Sequence, residues 1–130
     1  MAKLFNALSV AGGVIGGALS YILGGWDALA KVLLIFICLD YVTGLLSAAY
    51  TGKLSSAKGF KGIIKKAFIL LTVCLSAMMQ EFLLVPVRDI VITFFVVNEG
   101  LSIVENLGRV ITLPDVIQRT LEALRRSDNG

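Results

Sequence analysis

The apolar residues of this chain are gathered into blocks of spanning or near-spanning length, and the charges are pushed into the short stretches between them. A bilayer core about 30 Å thick takes roughly 20 helical residues to cross. That pattern commits the chain to a membrane before any single residue is read. Composition agrees: 57% of the 130 residues are hydrophobic and 16% are charged, where soluble domains carry roughly 25% charge. There is no histidine, and Cys38 and Cys74 stand alone inside apolar runs. Metal sites, disulfide frameworks and Cys/His nucleophiles are therefore without support, and no cofactor is expected.

The expected fold is an all-α membrane protein of four, alternatively three, transmembrane helices followed by a short C-terminal amphipathic helix. Residues 1–113 form the transmembrane domain, with spans at about 4–23, 29–50, 67–87 and 90–110. Residues 114–130 form a basic helix and tail. In the first span Gly12, Gly16, Ser20 and Gly24 stand four apart, and Ser9, Gly13 and Gly17 form a second row. Small residues at that spacing let helix backbones approach closely, either against another copy or against this chain's own helices. Gly44 in the second span is placed with them. Trp26 and Tyr50 suit the two interfaces.

Lysines set the orientation. The stretch from Thr51 to Lys66 reads as a Gly- and Ser-bearing loop with Lys53, Lys58, Lys61, Lys65 and Lys66, and no acid lies between Asp40 and Glu81. Basic residues in short loops mark the cytoplasmic side and attract anionic headgroups. Asp27 and Asp89 then fall outside, and both termini fall inside. After Pro114, which suits a first helical turn, Ile117, Leu121 and Leu124 make an apolar stripe opposed by Arg119, Arg125 and Arg126. Such a helix either lies on the inner leaflet or is a solvated tail. As a nucleic-acid site the lysine stretch is weak, being short and nearly without aromatics for stacking.

The fourth span is the odd one. FFVVNEGLSIVENLGR, Phe94 to Arg109, begins as hydrocarbon and ends with acids, amides and an arginine. Asn98, Ser102, Glu105 and Arg109 share a strip at 100° per residue, bordered by Glu99 and Asn106. Glu105 and Arg109 stand in favourable order for an ion pair. Asp40, about halfway along the second span, is followed on one face by Thr43, Gly44, Ser47 and Thr51. Asp40 and Glu99 fall near the same depth, so the two strips either face each other or jointly line water. An ionisable group at that depth normally meets a partner or water. The set Asp40, Thr43, Ser47, Asn98, Glu99, Ser102, Glu105, Asn106 and Arg109 is thus a candidate pore lining or oligomer interface. The alternative lays the fourth helix along the inner surface.

Two stretches together resemble a known family. LDYVTGLLSAAYTGKLSSAKGFKGIIKK, Leu39 to Lys66, followed by the Asn-Glu-Gly-x-Ser…Glu-Asn pattern and a Pro-led terminal helix, is similar to the phage holins of the toxin-secretion/phage-lysis type. The resemblance runs from about Leu33 to Leu124 and leaves most of the first span aside. It implies a non-enzymatic protein of the bacterial cytoplasmic membrane that homo-oligomerises. At a set time it opens lesions for an endolysin passenger, or releases toxin. Its patterned positions here are Asp40, Tyr41, Gly44, Lys53, Leu54, Ser55 and Ser56, then Asn98, Glu99, Gly100, Ser102, Glu105 and Asn106. Two other readings stay open: an antiholin-like regulator that assembles without opening, and a small ion-selective channel. In the holin reading a lone protomer leaves its polar strips unsatisfied, and this favours association.

Overall fold

The computed structural model describes residues 1–129, apart from the side chains at 125, 128 and 129. The described chain forms α1 (Ala2–Ile22), α2 (Ala28–Tyr50), α3 (Ser56–Leu83), α4 (Val87–Gly108) and α5 (Asp115–Asn129). The first four are long and apolar enough to cross a membrane. The expectation of four spans and a short terminal helix holds. The polar second half of α4 is helical to Gly108 because other helices cover it.

Local chemistry fixes the boundaries. Asp27 caps α2 by accepting the Ala30 N–H at 3.0 Å, satisfying one of the donors a helix start leaves free. Ser55 does the same for α3, accepting from Lys58 N–H at 3.2 Å. α3 ends where Leu84 turns left-handed and donates its N–H to Gln80 O, two residues before Pro86 can no longer continue a helix. Pro114 O accepts from Ile117 and Gln118, opening α5.

One boundary differs from expectation. Residues 56–66, read as a loop, are the first three turns of α3. The Ser55 cap and four lysines, which are good helix formers, outweigh Gly59 and Gly62. At 28 residues and 1.5 Å per residue, α3 is about 42 Å long, well beyond the hydrocarbon thickness.

The packed bundle is α2, α3 and α4, with α4 lying most extensively on α2 and then on α3. Leu23, Leu33, Ile37, Ile69, Val73 and Ile92 form its apolar core. Between lipid-exposed helices, close steric fit replaces the hydrophobic driving force, and here aromatics fill glycine notches. A Cβ on Gly62 would meet Tyr41 at 3.2 Å, and one on Gly100 would meet Phe36 at 3.3 Å. Gly44 sits against Asn106 of α4, so the backbones of α2 and α4 approach there.

α1 stands apart: none of the side chains within it is buried. A Cβ on Gly12, Gly13, Gly16 or Gly17 would have nothing within 4 Å. Gly24 lies outside α1, in a turn with φ +80°, where a Cβ would press on the Arg88 side chain at 2.9 Å. Gly16→Ala should therefore leave the thermal stability of the detergent-solubilised protein unchanged or slightly raised. Gly24→Ala should lower it by about 1–3 kcal/mol through backbone strain and overlap.

Candidate functional site

Three helices bring their charges to one place. Lys66 of α3 reaches between α2 and α4 and donates to Asp40, and to Glu99 Oε2 at 2.5 Å. Glu99 is 3% exposed, so its charge is met by protein. Asn106 Nδ2 donates to Asp40 Oδ1 at 3.0 Å, to Asp40 O at 3.1 Å and to Thr43 Oγ1 at 3.0 Å. Arg109 donates to Asn106 Oδ1 at 3.1 Å. The result is a continuous seam: Arg109, Asn106, Asp40, Lys66, Glu99. A buried charge is tolerable only when paired and hydrogen-bonded, and the seam supplies both conditions. With both carboxylates ionised, the Asp40–Lys66–Glu99 cluster carries one excess negative charge.

Sequence reading brought Asp40, Thr43, Glu99 and Asn106 to neighbouring helix faces, and the structure joins them. It corrects Lys66. That residue is not on the membrane surface with the other lysines but at the centre of the seam, because the helical start of α3 turns it inward. It also corrects the lone protomer with unsatisfied strips: Asp40, Glu99 and Asn106 find their partners within one chain. Ser47 is buried on α2, and its Oγ makes no hydrogen bond among the described residues. Ser102 is half-buried and Asn98 exposed, lining with Asp40, Lys66 and Glu99 a cleft of about 430 Å³ between α2, α3 and α4. Glu105 is half-buried and engaged in an interaction. Lys53, Lys58, Lys61, Lys65, Arg119 and Arg126 are exposed. The side chain of Arg125 lies outside the described residues.

A second polar centre closes the opposite end of the bundle, and sequence reading did not single it out. Arg88, only 4% exposed, donates from NH1 and NH2 to Asp27 Oδ2 and Oδ1 at 2.8 and 3.0 Å. It also donates to Leu23 O and Gly25 O, and to Asp89 Oδ1. All five guanidinium N–H groups are used. Arg88 thereby ties the α1–α2 turn to the start of α4, and its own N–H is taken by Gln80 Oε1 at 3.1 Å. The hydrogen bond from Arg88 and that from the Ala30 N–H hold the Asp27 carboxyl down at about 2. The signal in the sequence was an arginine beside a proline-broken helix end. Its partner lies sixty-one residues earlier, beyond any local pattern.

Fold and seam define a multi-pass helical membrane protein that buries an ion cluster between its spans. The bacteriophage holin family matches residues 17–126. An uncharacterized protein of Listeria innocua is 41% identical over 109 residues, 82% of this chain and 78% of that protein. One of Clostridium perfringens is 32% identical over 119 residues, 88% of each chain. A probable holin of Bacillus phage phi105 is 26% identical over 128 residues, 96% of this chain and 88% of the phage protein. No solved structure matches. The chain belongs to the bacteriophage holin family, a non-enzymatic family.

Proposed function

We propose that the protein is a holin that assembles with copies of itself in the cytoplasmic membrane of a bacterium. There it opens lesions through which an endolysin, or a toxin, leaves the cell. The family match across residues 17–126 carries this reading. The proposed orientation places the Lys53–Lys65 end, Arg109 and both termini in the cytoplasm, on the charge asymmetry of the turns.

The seam suggests how one chain serves two states. Closed, the polar faces of α2 and α4 satisfy each other through Lys66, so a protomer is stable in lipid. Open, those faces (Asp40, Thr43, Ser47, Asn98, Glu99, Ser102, Glu105, Asn106 and Arg109) line water or meet neighbouring copies. Gly12, Gly13, Gly16 and Gly17 of α1, where an added Cβ would meet nothing within 4 Å, offer a face for association. Asp40→Asn together with Glu99→Gln leaves Lys66 without a countercharge and should advance the onset of permeabilisation after induction. Unchanged timing would count against a seam that holds the closed state.

The deciding experiment is induced expression in bacteria alongside an endolysin that has no export route of its own. Abrupt lysis, with release of a cytoplasmic enzyme, is expected. Loss of ion gradients without enzyme release would identify a selective channel. Delay of lysis by another holin would identify an antiholin-like regulator.

A further inference from the structure

The seam has a wet side at the basic end of the bundle. A cleft of about 750 Å³ opens between the last turns of α2, the α2–α3 turn, the start of α3 and the end of α4. Lys53, Lys58, Lys65 and Arg109 stand in its wall. Its one acid, Asp40, is already held by Lys66 and Asn106. Among the described residues, Lys53, Lys58 and Lys65 form no ion pair. The wall also includes Ser47, a 1% exposed residue whose Oγ finds no partner among the described residues. Three lysines without an ion pair among the described residues line one cavity, and an anion entering it relieves the repulsion among them.

We propose that this cleft is a binding site for the phosphate of one anionic phospholipid headgroup. The lysines and Arg109 would take the phosphodiester oxygens, which suit both point-charge and forked donors. The phosphate is assigned to a lipid by what surrounds the cleft. Leu45 and Leu54 share its wall, and Leu54 is more than half exposed. A headgroup in the cleft lays its acyl chains on those apolar side chains, which free phosphate cannot do. Basic pockets between helices at a membrane interface bind headgroups in this manner. The site lies against Asp40, Lys66 and Asn106, so an occupying lipid braces the seam. The proposal needs only a membrane-embedded chain and is independent of whether the protein lyses cells.

The test is native mass spectrometry of the full chain released from bilayers of phosphatidylcholine with a minor fraction of phosphatidylglycerol. One retained phosphatidylglycerol per protomer is expected. Lys58→Gln/Lys65→Gln should weaken retention about 25-fold, from about fivefold per lysine. Lys58→Arg/Lys65→Arg should keep it. Lys3→Gln/Lys61→Gln removes the same charge outside the cleft and should change retention less than about threefold. Equal losses from the two glutamine pairs would mean diffuse attraction to the surface and would overturn the site. Displacement of the lipid by millimolar inorganic phosphate would overturn the lipid as its occupant.

Discussion

Lys66→Met should destabilise the α2–α3–α4 bundle by about 3–5 kcal/mol, the usual result of stripping one partner from a buried ion cluster. Lys66 is the only cation bonded to both Asp40 and Glu99 among the described residues. Without it, two carboxylates face each other between apolar helices with no countercharge. The effect would be read as a lowered denaturation midpoint in detergent at constant slope. The triple variant Lys66→Met/Asp40→Asn/Glu99→Gln removes the whole charge set and should recover most of the loss. If Lys66→Met alone matches the parent protein, the cluster does not hold the helices together.

Arg88→Gln is expected to produce the second large effect, a loss of about 2–3 kcal/mol. That is somewhat below the figure for a fully buried pair, because half of the Asp27 side chain is in contact with solvent and its interactions are screened. Arg88→Lys should recover less than half. An ammonium offers three donors from a point, whereas the two carboxylates and two carbonyls here are arranged around a planar fork. Limited proteolysis at the Gly24–Asp27 turn should report the loosening directly. Acid should act through the same contact. The Asp27 carboxyl is held at about 2 against an ordinary value of 3.8. A depressed acid pKa contributes stability that is complete above the unfolded value and disappears as pH falls through the folded one. The turn should therefore stay protected at pH 5 and open as pH falls from about 4 to about 2. Asp27→Asn should remove that step.

How much of this was legible in the sequence depended on the range of the interaction. The four spans were, because length and apolarity act block by block. So was the common depth of the α2 and α4 strips, because helical periodicity fixes which residues share a face and the turns fix depth; whether the strips meet each other or line water was not. Lys66 was not. Five lysines within fourteen residues read as one solvated run, and only the helical phase from the Ser55 cap separates the inward Lys66 from the outward Lys61. Arg88 was missed for a related reason. Proximity to Asp27 requires the ends of two helical hairpins to meet, which no local spacing encodes. The α1 glycines illustrate the opposite case. The four-residue rows are plain in the sequence, yet at Gly12, Gly13, Gly16 and Gly17 an added Cβ would meet nothing within 4 Å, so the use of those four belongs to an assembly or to lipid.

The most direct measurement of lesion formation uses purified protein reconstituted at increasing density into vesicles loaded with both a small dye and a folded protein of endolysin size. The holin reading predicts that, above a threshold density, both cargoes leave together. Asp40→Asn/Glu99→Gln should lower that threshold. Release of the small dye alone at every density, with the folded protein retained, would contradict it.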